Sequence, residues 1–166
     1  MARKCFYSFH YKPDHWRAST IRQIGAIEGS QTVSDNEWES VTRGGDAAIE
    51  RWIDGQMHGK SCTILLIGAA TAGRKWIDHE IIKTWNDKKG DVGIHIHNIL
   101  NADRQRSAKG ANPFTHITLR STGGGSLANV AKTYDPPYLQ STDVYKYISD
   151  NVERWVDEAI AIRNRY

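Results

Sequence analysis

The sequence predicts an α/β fold, a three-layer sandwich in which a central, mostly parallel sheet carries helices on both faces. Three observations point there. Ser61 to Gly68 (SCTILLIG) is a continuous apolar run ending in glycine, which suits a parallel strand buried on both sides. Apolar residues recur at helical spacing on either side of it: Ile49, Trp52, Ile53 and Met57 before, and Ile77, Ile81, Ile82 and Trp85 after. Short β runs alternating with such stripes are the pattern of an open parallel sheet.

Lys4 to Phe9 is an aromatic and apolar run followed by His10, Tyr11, Lys12, Pro13 and Asp14, and it reads as a buried strand ending in a turn. Asp14 can cap a helix carrying Trp16, Ile21 and Ile24, and the stretch to about Val33 has room for another short strand. Ser34 to Gly45, rich in Asp, Glu, Ser and Gly, reads as a long surface loop. Asp46 is a suitable N-cap for the next helix, and Gly59 is its stop. Asp91 to Asn98 (DVGIHIHN) is the next strand. Residues 99–140, with KGANPF, TGGGS, YDPPY and only a β-like ITL, read as an irregular insertion on a core of about 4–100. A helix over about 141–163, with Val144, Ile148, Val152, Trp155, Val156 and Ile160 on one face, closes a single domain. By the same periodicity Trp16, Trp52, Trp85 and Trp155 belong to core stripes.

A chain of 166 residues fits one core. Its net charge of +3 is spread along the sequence, so a nucleic-acid partner has no electrostatic footprint. Cys5 and Cys62 lie in apolar runs without a CxxC pair and read as buried thiols of a reducing compartment. The N-terminal apolar run is much shorter than a secretory signal requires, and no segment approaches the roughly 18 apolar residues of a membrane span. The expectation is a cytoplasmic protein with no membrane partner.

Ligands of open parallel sheets bind outside the carboxyl ends of the strands. The sharpest feature there is Trp76 to Glu80 (WIDHE), where a separation of four puts Trp76 and Glu80 on one helix face. From spacing alone Glu80 reads first as a solvated carboxylate paired with Lys83, and second as a rim carboxylate. Gly44-Gly45-Asp46 is a flexible loop before an N-cap, or a set of amides able to hold phosphate. GxGxxG and GxxxxGK[ST] are both absent, which disfavours hydride transfer and P-loop chemistry. His95 and His97 share a strand face but lack a third ligand at recognisable spacing, so no metal is expected. KGANPF reads first as a defined turn around Pro113 and second as a substrate-facing loop. A flavodoxin-like receiver domain lacks its acidic cluster here.

In order, these residues resemble a Toll/interleukin receptor (TIR) domain, and more narrowly the TIR-like subunits of the Thoeris antiphage system. The family's first strand carries Phe-x-Ser-Tyr/Phe, matched by Phe6, Ser8 and Phe9, with the narrower group's His-Tyr pair at His10-Tyr11. Its catalytic helix carries Trp-x-x-x-Glu-hydrophobic, matched by Trp76, Glu80 and Ile81. Leu66 to Gly68, Thr71, Arg74, Gly93 to Ile96 and KGANPF extend the likeness from about Lys4 to Phe114. Two positions depart from it: the Cys often found after the motif Trp is Ile77, and a basic residue often found after the first strand is His10.

The resemblance implies a flavodoxin-like, TIR-like sandwich that cleaves NAD at the nicotinamide–ribose bond, with Glu80 catalytic. Ser8, Phe9 and His10 would border the nicotinamide and ribose, Trp76 would wall the pocket, and Thr71 would touch a hydroxyl. Asp35, in the family's mobile assembly loop, together with Gly45 and Asn112, completes the candidate substrate-binding set. NAD would be a substrate and no separate cofactor is implied. The product would be a cyclic ADP-ribose-type signal sensed by a separate effector, and self-association is expected. The alternative is a non-catalytic TIR-like assembly module.

Overall fold

A computed structural model describes residues 3–29 and 35–166, the side chains of 35–37 excepted. The strands are β1 (Arg3–Ser8), β2 (Ile27–Gly29), β3 (Cys62–Ile67), β4 (Gly90–His95) and β5 (Thr133–Tyr134). The helices are α1 (Tyr11–Arg22), α2 (Asp35–Arg43), α3 (Asp46–Met57), α4 (Lys75–Asn86) and α5 (Ser141–Arg163). The five strands form one sheet in the order β2-β1-β3-β4-β5, and every pairing is parallel. The expected "mostly parallel" sheet is thus parallel throughout its described strands.

Alternation along the strands sorts side chains to the two faces. Cys5, Tyr7, Ile64, Leu66, Val92 and Ile94 point to one side, where α1 and α5 cover them through Ala18, Ile21, Val152, Trp155 and Val156. Leu65 and Ile67 point to the other, under Ile77, Ile81 and Trp85 of α4 and Phe114 and Leu127 of the insertion. Phe6 meets Ile49, Ile53 and Met57 of α3 on that same side. β3 is buried along its whole length because it is central and covered on both faces.

Several elements differ from the sequence-based expectation. Trp16 is 52% exposed, because the buried face of α1 is instead Asp14, Arg17, Ala18 and Ile21. Trp52 is only partly buried against the α3 cluster, while Trp85 and Trp155 are fully in the core. Ile82 lies at the surface, 37% exposed. Asp14 sits in the first turn of α1 instead of capping it, because the helix opens at Tyr11 with His10 as N-cap. Gly45, not Asp46, is the N-cap of α3, and its φ of +83° favours glycine. Within the stretch expected to be a loop, residues 35–43 form α2. Residues 30–34 lie outside the described residues, and with them Ser34 and the end of the strand expected up to Val33. The ITL segment contributes a single antiparallel bridge, Thr118 to Ser126. The fifth strand is Thr133–Tyr134, held against Gly93 and Ile94 and anchored by Tyr134 stacking on Trp155 with centroids 4.2 Å apart.

The loop after β4 packs backbone to backbone on the end of β3. A Cβ on Gly110 would lie 2.0 Å from the Gly68 carbonyl oxygen, and one on Gly68 would lie 2.0 Å from Asp14 Oδ2. Gly110→Ala must therefore displace main chain, and it is expected to cost about 1–3 kcal/mol. A lowered urea midpoint with an unchanged slope is the readout.

Candidate active site

In this strand order the switch point lies between β1 and β3, where the chain leaves in opposite directions and opens a crevice. A cavity of about 580 Å³ occupies that place. Its walls come from Phe9 to Lys12 after β1, from Ala70 and Ala72 to Ile77 leading into α4, from Trp38 of α2, and from Glu80. Such a volume is ordinary for a site that takes a small molecule.

Glu80 stands one turn into α4 at the floor of this cavity, and it is only 8% exposed. Ile77 and Ile81 fix the helix by packing on the sheet, which leaves Glu80 over the end of β1. There the Ser8 hydroxyl donates a hydrogen bond to Glu80 Oε2. Burial pushes the carboxyl pKa up to about 8, and the Ser8 hydrogen bond opposes that rise. The surface pairing with Lys83 that spacing suggested does not form; Lys83 instead bonds Asp87 at 2.9 Å. Beneath, Asp91 of β4 is buried with neither carboxylate oxygen hydrogen-bonded among the described residues. Burial first, and Glu80 second, favour its neutral acid. The carboxyl that faces the cavity is therefore Glu80.

The lining of the cavity is also cationic. Lys12, Arg74 and Lys75 line it, and neither Lys12 nor Arg74 forms an ion pair among the described residues. Lys75 bonds Asp46 and lies 5.0 Å over the Trp76 ring. Burial, then Arg74 and Lys12, lower the pKa of His10, so the imidazole on the rim is neutral and its Nδ1 has no protein partner among the described residues. A recessed acid and unpaired cations in one cavity suit a ligand that carries both signs of charge.

Of the residues singled out in the sequence, Phe9, His10, Trp76 and Glu80 line the cavity, and Ser8 sits behind Glu80. Thr71 does not line it. It is fully buried, and its Oγ1 accepts from the Gly68 amide at 2.8 Å, stapling the β3–α4 loop. Gly45 is exposed at the start of α3 and away from the lining. Asn112 holds its own turn, with Oδ1 accepting from the Phe114 amide at 2.9 Å, and KGANPF adds no residue to the described lining, its Gly110 packing on Gly68 and Ala69. The Asp35 side chain lies outside the described residues. His95 and His97 meet edge to face at 5.9 Å beyond the lining. Sequence reasoning passed over Trp38, Lys12 and Arg74 as site residues. A lone tryptophan in an otherwise polar stretch was the available signal for the first.

Strand order and switch-point cavity define a flavodoxin-like α/β domain with a recessed carboxyl in its crevice. The chain belongs to the family of the TIR-like domain of the Thoeris protein ThsB, whose profile matches residues 6–101. It is similar to a Bacillus cereus (strain MSX-D12) protein named "Putative cyclic ADP-D-ribose synthase ThsB1", at 29% identity over 152 residues, covering 89% of this chain and 79% of that protein.

Proposed function

We propose that this protein cleaves NAD at the nicotinamide–ribose bond and closes the ADP-ribose part into a cyclic signalling nucleotide for antiphage defence. The observation that carries the reading is the recessed Glu80 carboxyl in a cavity that Lys12, Arg74 and Lys75 also line. Breaking the glycosidic bond builds oxocarbenium character on the ribose, and a fixed anion in a poorly hydrated site stabilises that charge strongly. Nicotinamide leaves as a neutral molecule from a cationic ring, so no second carboxyl is needed to protonate it. Phe9 and Trp76 wall the ring, while Lys12 and Arg74 take the diphosphate. Cyclisation follows when water is kept from the cation until another group of the same molecule reaches it. Self-association over the mouth of the cavity, and a separate effector that senses the product, complete the proposal.

Incubation of the purified protein with NAD and mass spectrometry of the products tests this. Free nicotinamide with a product 18 mass units lighter than linear ADP-ribose is the expected pair. Intact NAD under assembly-promoting conditions would argue for the non-catalytic module instead.

The pH dependence has a definite sign. The anion is the working form, and its fraction grows as pH rises toward the free-enzyme pKa of about 8. Thus kcat/KM should climb nearly tenfold per unit below that value and level off above it. Ser8→Ala removes a bond that favours the anion, so its profile should shift to higher pH and its rate at pH 7 should fall.

A further inference from the structure

Trp76 is the second residue of α4, and helical side chains lean toward the amino end, where α4 has no earlier turn to receive an indole. The ring is partly buried against the cluster of Phe6, Ile49, Ile53 and Met57, and it also lines the cavity. What holds it in one orientation must therefore come from its neighbours. The Lys75 ammonium lies 5.0 Å over the ring and pairs with Asp46 at the start of α3. The His79 imidazole meets the ring edge to face, with centroids 5.5 Å apart and planes at 74°, and its Nε2 lies 3.8 Å from Asp54 Oδ1 of α3. Both contacts lead back to α3.

The two braces are unequal. Lys75 and Asp46 are 67% and 70% exposed, so water and salt weaken their pair. His79 is 26% exposed, and its Nε2 and the facing Asp54 Oδ1 are both closed off from solvent with no hydrogen-bond partner among the described residues. His79 is absent from the described lining of the cavity and borders a separate hollow of about 360 Å³, shared with Glu50, Asp54, Lys83 and Asp87. We propose that His79 is a positioning residue: from outside the substrate cavity it fixes the Trp76 indole as the wall that faces the substrate ring. The inference rests on the NAD-cleaving reading and adds a residue that acts through Trp76. Three positions apart on α4, the two rings are neighbours on one flank of the helix, and an edge-to-face pair is favourable beyond the area it buries. An aromatic wall supports a bound ring both before and during bond cleavage, so loosening it acts on KM more than on kcat.

Fluorine NMR of protein labelled with 5-fluorotryptophan tests this without turnover, the Trp76 signal being assigned by its loss in Trp76→Phe. The wild type should give a single narrow Trp76 line. His79→Ala should broaden or split that line through exchange between ring orientations, which loss of a ring current alone does not do. His79→Gln, which keeps a polar group facing Asp54 but no ring, should do the same, and His79→Phe should restore the narrow line. Unchanged lines from Trp85 and Trp155, both in the core, report that each variant is folded. In kinetics the alanine and glutamine variants should raise KM for NAD about three- to tenfold with kcat within about twofold of wild type, and His79→Phe should recover most of the change. A single narrow Trp76 line in either ringless variant, or a wild-type KM in both, would overturn the proposal. If the line responds as described but the wild type never cleaves NAD, the NAD-cleaving reading fails while the positioning of Trp76 stands.

Discussion

Glu80→Gln is expected to cut nicotinamide release from NAD by about two to three orders of magnitude or more while making the protein harder to melt at alkaline pH. The first effect follows from removing the one acidic side chain among the described residues that line the cavity, since fixed charges facing a developing cation supply contributions of that size. The second follows from the same burial that makes the residue useful. An unfolded chain releases the proton near 4.5 and the folded one only near 8, so between those values the native state holds a proton that the unfolded state has lost. Native stability conferred by the neutral acid is complete below the lower value, declines as pH rises through the window, and is flat above it. Glutamine still accepts from Ser8 and has no such decline. At roughly 1.4 kcal/mol per pKa unit, an upper bound of a few kcal/mol separates the two proteins at pH 8. That corresponds to a melting temperature on the order of 5–10 °C higher for the variant. The difference should nearly vanish at pH 5. Activity and stability are opposed at this position, as expected of a functional residue.

Arg17→Leu should be the most destabilising single change outside the apolar core. Arg17 is 2% exposed and bonds Asp14 Oδ1 at 2.9 Å, the Ile99 carbonyl at 2.7 Å and the Gln105 carbonyl at 2.9 Å. It thereby joins α1 to the loop that follows β4. Burial pushes the Asp14 pKa upward while Arg17 pulls it down, so the pair is held against a desolvation penalty. Removing the guanidinium strands the buried Asp14 carboxyl and takes a donor from the Ile99 carbonyl, at a cost of about 3–5 kcal/mol. The melting temperature should fall by on the order of 10 °C. Asp14→Leu combined with Arg17→Leu should recover part of the loss, because no buried group then lacks its ion partner. Calorimetric melts of the single and double variants measure both.

The elements read most fully in the sequence are those with strong, local patterns. β3 is an unbroken apolar run, and α4 and α5 carry long stripes whose buried residues match their periodicity. Where a residue's environment is made by distant chain, local pattern misled. Trp16 fits a helical stripe, but the α1 face that packs inward is fixed by Arg17 reaching residues more than 80 positions away. β5 is two residues long, and its place depends on pairing with β4 and on the Tyr134–Trp155 stack. Residues 35–43 looked like loop because Asp, Glu and Ser abound in 34–45, yet a helix with no fully buried residue over 38–43 tolerates that composition. Spacing on α4 could bring Trp76 and Glu80 to one face. It could not say that Ser8, 72 positions earlier, would close over the carboxyl. The likeness to TIR domains supplied that pairing of first strand and fourth helix, and the coordinates supplied the burial that gives it chemical meaning. For Thr71 and Asn112, motif membership reflects hydrogen bonds that hold loops around the cavity in this structure.

The most direct measurement is the titration of Glu80 itself, by NMR of protein labelled with 13C at the glutamate carboxyl and assigned by loss of the signal in Glu80→Gln. In free protein the midpoint should lie near 8, and a non-cleavable carbocyclic NAD analogue should draw it down by more than one unit as the cationic ring settles beside it. A midpoint near 4.5 that ignores the analogue would mean a hydrated carboxylate with no ribose cation to meet, and Glu80 would have no part in NAD cleavage.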